Sequence, residues 1–278
     1  IYLHDLDSGE AFSPLACLLR DKALIHEARH SQGVSTFSVA RHGLVAELTQ
    51  LVDPIDPVKL QRLTLRNDSD RRLRLRIYAY AEWVLGNDRH RTSPFIVPSH
   101  DAASGAVMAR NPYHLDFGDR VAFLACNGAS QSYTCDRAEF LGTGGSSSAP
   151  AAVLKGAALS GTCEAGHDQC AAIACDIEIA AGGSEAIIFV LGDAASAQEA
   201  TSLAQTHLAA DFEARLGAND ATWQEFADAL QVETPDKGFN AMVNTWLPYQ
   251  ALACRIRGRA AFYQASGAYG FRDQLQDT

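Results

Sequence analysis

RRLRLRIYAYAEW, Arg71–Trp83, alternates without a break. Leu73, Leu75, Ile77, Ala79 and Ala81 fall on one side of an extended chain, and Arg72, Arg74, Arg76, Tyr78 and Tyr80 on the other. That period of two predicts a strand with one buried and one wet face. VKLQRLTL (Val58–Leu65) alternates as well, and NDSD (Asn67–Asp70) between them has turn chemistry, so the pair is expected to form a hairpin. Working outward, GLVAELTQLV, AVMAR, RVAFLACN, CAAIACDIEIA and EAIIFVLG are further short apolar runs separated by Gly, Asn, Asp, Pro and Ser. Strands at such spacing predict a large antiparallel β-sandwich over residues 1–195, a mostly β fold, with GTGGSSSAP (Gly142–Pro150) as a surface loop.

The pattern then turns helical. Ser196 with Glu199 makes a capping box, and Ala200, Leu203, Ala204, Leu208 and Phe212 share one helical face. Thr222 with Glu225 reads as a second box, opening a helix that carries Trp223, Phe226, Ala227 and Leu230. A third helical stretch begins near Pro235, with Phe239, Met242, Val243, Trp246 and Leu247 in register, and Pro248 must kink it or begin a new helix. Residues 196–235 are thus a helical linker, and 236–278 the opening of a helical domain too short to bury its own aromatics. The start, IYLHDLDSGE, shows neither a basic nor an apolar leader region, and the chain is expected to be the inside of something longer.

A formal charge of −10 repels phosphate backbones and anionic headgroups, which argues against nucleic acid or membrane contact and leaves neutral ligands open. Seven scattered cysteines favour free thiols and a reducing, cytoplasmic setting over a disulfide framework. Cys163, His167, Cys170 and Cys175 lack metal-knuckle spacing, and the last two fall on opposite faces of a strand, so no metal site is expected. GGSEAIIFVLGD lacks both nucleotide-binding glycine patterns, and no nucleophile elbow occurs.

Two stretches carry candidate binding chemistry. EWVLGNDRHR (Glu82–Arg91) offers Trp83, Asn87, Asp88, Arg89, His90 and Arg91, which fits either a solvated loop or a sugar-gripping one. GAYGFRDQLQDT (Gly267–Thr278) places Arg272, Asp273, Gln274, Gln276 and Asp277 in six residues, with Tyr263, Tyr269 and Phe271 close by. Bidentate polar groups beside aromatic rings suit a neutral sugar; a salt-bridged helix start after a glycine turn fits the same residues.

NTWLPYQALACRIRGRAAFYQASGAYGFRDQLQD (Asn244–Asp277) resembles the glycoside hydrolase family 94 phosphorylases, in the branch of cyclic β-1,2-glucan synthases and 1,2-β-oligoglucan phosphorylases. YLHDLDSGEAFSP and DPVKLQRLTLRNDSDRRLRLRIYAYAEWVLG agree with it. The resemblance implies a sandwich, a helical linker and the truncated start of an (α/α)6 barrel. It further implies inverting phosphorolysis or glucosyl transfer on a β-glucan, with inorganic phosphate as co-substrate and no other cofactor. By it, Arg272 and Asp277 line the sugar subsite, with Asp273, Gln276 and Tyr269 in support. No catalytic residue is assigned, since the family's general acid is expected downstream of Thr278; the chain alone is expected to be inactive. A non-catalytic glucan-binding module, or a brace for the barrel and a homodimer interface, are the alternatives. The setting is cytoplasmic, or the cytoplasmic part of a larger inner-membrane protein.

Overall fold

The computed structural model describes residues 1–19, 21–229 and 231–253. They divide between two compact units, Ile1–Phe212 and the part from Glu213 onward. Antiparallel pairing links every strand of the first unit. One sheet has eight strands in the order β3 (His26–Ser31), β4 (Val34–Arg41), β5 (Leu44–Val52), β6 (Val58–Asn67), β13 (Ser184–Ala194), β10 (Val121–Cys126), β9 (Ala106–Arg110) and β8 (Val97–Asp101). The other has five: β11 (Ser132–Asp136), β12 (Gln169–Ile179), β7 (Leu73–Glu82), β1 (Tyr2–Asp5) and β2 (Ala11–Phe12). Mostly β, the unit is the expected sandwich. Leu63 and Leu65 of β6, Leu73, Leu75 and Ile77 of β7, Ile173 and Phe189 meet in one core cluster between the sheets.

The expected hairpin is not one. β6 pairs with β5 and β13, whereas β7 pairs with β1 and β12, so the chain crosses from one sheet to the other at Asn67–Asp70. Alternation forces this outcome as readily as a hairpin. Two strands whose apolar sides face each other bury more surface than two lying edge to edge. β12 and β13 are also joined by a crossing, and fully buried Asn67 ties the two arches together. Its Nδ2 donates to the carbonyls of Arg71 (2.7 Å), Ala180 (3.0 Å) and Ile179 (3.2 Å), while its Oδ1 accepts from the Ser69 amide at 3.0 Å.

Nor does β7 leave one face wet. Arg72 reaches Glu178 at 2.9 Å, and Arg76 grips Asp176 through two bonds of 2.6 and 2.7 Å, as a polar outer face should. Tyr78 is instead fully buried, covered by α2 (Arg137–Leu141) and α3 (Ala151–Lys155), which flank the Gly142–Pro150 loop. Phe140 stacks on Tyr80 at 4.8 Å and meets Tyr2 and Tyr78 edge-on or tilted at 6.0 Å. Tyr78 donates to the Ala157 carbonyl at 2.8 Å, and burial pushes its hydroxyl pKa up to about 12.

The opposite side of the molecule is layered in the same way. Phe123 of β10 and Val190 of β13 have the reverse parity to the core residues and are fully buried, on the face that α4 (Ala197–Ala209) packs against. Ser196 caps α4 through the Glu199 amide as expected, and the Glu199 carboxylate reaches back at 2.7 Å to the Ala195 amide, one residue before the cap rather than the Ser196 amide of a regular box. Fully buried His207, which the helical face did not predict, bonds Asp56 at 2.9 Å, and Thr201 donates to Asp101. These bonds fix α4 within the first unit, one element beyond the expected division at 195.

The Thr222 box does not form. α5 (Phe212–Ala227) runs straight through it, and Thr222 Oγ1 bonds back to the Ala218 carbonyl at 2.9 Å. In the second unit Asp236 caps α6 (Lys237–Ala241), a π-helical turn covers Met242–Trp246, and α7 (Leu247–Gln250) carries Pro248 in its first turn. A proline lacking its N–H is accommodated by that widened turn, the break expected at Pro248. Among the described residues no helix is long and apolar enough to cross a membrane.

Asn67→Ala removes the donor of three carbonyl bonds, that to Ile179 buried and those to Arg71 and Ala180 partly so, and should lower unfolding stability by about 2 kcal/mol, read from the urea midpoint with its slope unchanged. Asn67→Asp keeps the shape, loses the donor and should do comparable damage.

Candidate functional site

Tyr269, Arg272, Asp273, Gln276 and Asp277 lie outside the described residues. The other stretch singled out by sequence, Glu82–Arg91, lies at the end of β7. Its Trp83 is no ligand: the ring is buried in the core between the sheets. Asp88 caps α1 (Arg89–Thr92), accepting from the His90 amide at 2.8 Å. Arg89 turns back toward the sheet, with Nε 2.6 Å from Glu82 and its terminal nitrogen on Asp168. Arg137 joins the same two acids, at 2.8 Å to Glu82 and 3.6 Å to Asp168. Two guanidinium groups and two carboxylates thus bolt α1, α2 and the start of β12 to the end of β7. Both acids are occupied as ion-pair partners. Arg89 fits neither the solvated nor the sugar-gripping reading: it lies in α1, its side chain is 22% exposed and it is ion-paired, a structural role.

A short distance on, the chain builds a surface of another kind. Phe95 stacks on Tyr113 with ring centroids 4.3 Å apart and 12° between planes, and the two side chains are 41% and 70% exposed. Leu115 and Phe117 beside them are exposed as well. Asn111, buried, joins the two loops by donating to the Leu85 carbonyl at 2.9 Å and accepting from the Tyr113 amide. His114 Nδ1 accepts the amides of Asp116 and Phe117, both at 3.2 Å, which places the proton of its neutral ring on Nε2. Gly86 is required here, because a Cβ would lie 2.5 Å from Thr92 Cγ2. The result is an aromatic platform on two pinned loops, able to stack on the apolar face of a sugar ring. Sequence reading missed it because Phe95 and Tyr113 stand eighteen residues apart with a strand hairpin between them.

The four residues weighed as a metal cluster are not brought together. Cys170 lies in the layer under α2 and α3, and Cys175 in the core between the sheets. Among the described residues no three His, Cys, Asp or Glu side chains are placed to hold a metal ion.

Two solved structures share this fold. A putative kojibiose phosphorylase from human microbiome superposes over 90% of the chain and 30% of its own with a TM-score of 0.53. A bacterial glucoamylase complexed with acarbose does so over 90% and 34% with a TM-score of 0.60. Identity is 10% in both, so the likeness is one of fold. Sequence supplies the family. The glycosyl hydrolase 94 supersandwich-domain model matches residues 1–210, and the catalytic-domain model of the same superfamily matches 222–278. The chain belongs to glycosyl hydrolase family 94. It is 46% identical over its full length to cyclic beta-(1,2)-glucan synthase NdvB of Rhizobium meliloti, of which it spans 10%. It is 26% identical to N,N'-diacetylchitobiose phosphorylase of Vibrio proteolyticus and to solabiose phosphorylase of Paenibacillus borealis, spanning 36% of each.

Asp168→Asn leaves two arginines sharing one carboxylate. Since the pairs are partly exposed, the loss should be about 1 kcal/mol in urea unfolding, shrinking at high salt.

Proposed function

We propose that the chain is the sandwich, linker and opening barrel segment of an enzyme that makes or breaks β-glucosidic bonds, with β-1,2-glucan as substrate. The observation that carries this reading is the 46% identity to a cyclic β-1,2-glucan synthase along the entire chain, across both family domains. The chemistry proposed is inverting phosphorolysis and its reverse. Phosphate attacks the anomeric carbon from the face opposite the leaving group, the glycosidic bond breaks, and a carboxylic acid protonates the departing oxygen. The product is an α-glucose 1-phosphate. Because phosphate is itself the nucleophile, no base is needed to activate water and one carboxyl suffices.

In this proposal Arg272 and Asp277 hold the glucose unit by paired hydrogen bonds, supported by Asp273, Gln276 and Tyr269. None of the acids in this segment is assigned the proton transfer, so the chain alone is inactive. The setting proposed for the parent is cytoplasmic. Arg272→Ala in the full-length parent should lower kcat/KM for phosphorolysis of β-1,2-gluco-oligosaccharides by about 100-fold or more, the loss expected for a charged hydrogen-bond donor to substrate. Unchanged phosphorolysis would remove Arg272 from the site.

The Phe95–Tyr113 platform favours a second reading, in which the sandwich also holds glucan. Calorimetric titration of the 278-residue chain with millimolar β-1,2-gluco-oligosaccharide should then release heat that Tyr113→Ala abolishes. Absence of heat in the unaltered chain defeats this reading and leaves the first intact.

A further inference from the structure

We propose that Cys135 and Cys163 form a reversible dithiol–disulfide pair that locks the outer helical layer of the sandwich onto its edge strand. The two sulfur atoms lie 2.9 Å apart, twenty-eight positions from each other in sequence. Their approach is set by backbone. β11 is the edge strand of the five-stranded sheet, and the segment after α3 runs along its open side. Gly161 donates to the Tyr133 carbonyl at 2.8 Å and Cys135 to the Thr162 carbonyl at 2.7 Å. Side chains hold the same register: Leu159 N–H donates to Ser132 Oγ, and Ser160 N–H to Glu139 Oε1 at 2.8 Å. Two cysteines on adjacent extended segments, fixed from both ends, need little movement to bond.

The partners differ as an attacking and a resolving thiol should. Cys163 is half-buried and open to a small reagent, whereas Cys135 is 1% exposed. The hydrogen bond that Cys135 donates lowers the Cys163 pKa, and that bond together with burial raises the Cys135 pKa. Cys126 and Cys175 also lie within hydrogen-bonding reach of each other, but both are sealed in the core between the sheets. A reagent in water reaches the first pair and not the second.

With a low-molecular-weight disulfide as oxidant the step balances. The Cys163 thiolate attacks one sulfur of RS–SR, the S–S bond breaks, and one RS⁻ leaves. Cys135, losing its proton, then attacks Cys163 Sγ and expels the second RS⁻. One protein disulfide and two RSH result, with two electrons passed to the reagent and the two thiol protons ending on RSH. The ring so closed contains α2, the Gly142–Pro150 loop and α3, the layer that covers Tyr78 and Tyr80. Past Cys163 the same segment runs on to Asp168, the anchor of Arg89 and Arg137.

The test uses the 278-residue chain incubated with oxidised glutathione, then alkylated without reduction and mapped as peptides by mass spectrometry. A peptide pair linked through Cys135 and Cys163 is expected, with a rise in Tm of roughly 5–10 °C that dithiothreitol reverses, from closing a loop of this size. Cys163→Ser should abolish both the link and the rise. Alkylation of both Cys135 and Cys163 after oxidation, or separate glutathione adducts on them, overturns the proposal. The mapping needs no variant, so the proposal stands or falls on the unaltered chain alone.

Discussion

A sandwich of this kind depends on a polar problem being solved at its end. Where β6 passes to β7 and β12 to β13, the chain leaves one sheet for the other, and neither crossing can satisfy its carbonyls through a ladder. Buried carbonyls without donors would outweigh much of the apolar surface gained below them. Asn67 removes the difficulty with one amide, which donates to the first crossing at Arg71 and to the second at Ile179 and Ala180. The backbone adds to the tie, since the Asn67 amide donates to Gly183 at 2.9 Å and the Asp68 amide to Gly43. Fixing these two crossings together fixes the offset of β7 and β12 against β6 and β13. Those four are the long central strands of the two sheets.

Once that offset is set, the outer layers follow. The parity that sends Leu73, Leu75 and Ile77 inward sends Tyr78 and Tyr80 outward, where water would cover two large rings. Phe140 and α3 cover them instead, and the arginines a few residues earlier are paired with acids, Arg72 in water and Arg76 largely covered. One face of one strand is therefore polar at its start and apolar at its end. The eight-stranded sheet makes the same choice under α4, with partly buried polar contacts, His207 to Asp56 and Thr201 to Asp101, fixing the helix in position. Gly192 marks how closely these layers approach, since a Cβ there would lie 2.7 Å from the Phe123 ring and 2.8 Å from the Pro57 carbonyl.

What could be read from the sequence was whatever repeats locally. Alternation located β6 and β7, short apolar runs between turn residues located β5, β9, β10, β12 and β13, and the Ser196 box located α4. Alternation does not say which sheet a strand joins, because a hairpin and a crossing present the same pattern and differ only in partners far along the chain. Asn67 reads as a turn residue until its acceptors at Ile179 and Ala180 are known. RAEFL and AAVLK are single helical turns or little more, too short for a 3.6-residue period to show, so the layer they form gave no signal in the sequence. Thr222 met the residue pattern of a cap, yet the helix already in progress offered its hydroxyl the Ala218 carbonyl. β3 and β4 are strands with few buried residues and gave no apolar run to find.

The same distinction separates scaffold from site. Arg89, in a stretch that fitted sugar-gripping chemistry as a list of residue types, is instead consumed with Glu82, Arg137 and Asp168 in holding three elements to the end of β7. Phe95 and Tyr113 are the converse. Their rings are not needed to close the core, and pinned loops hold them out at 41% and 70% exposure. An apolar surface at the loop end of a rigid sandwich adds nothing to the closing of the core, and on the second reading proposed above it is the place for a ligand. For a chain of charge −10 that ligand is better neutral than anionic, and a glucan is neutral. The arginines at the end of β7 are already paired with Glu82 and Asp168, so this cluster holds the scaffold together and leaves no unpaired cation within it for an anionic ligand.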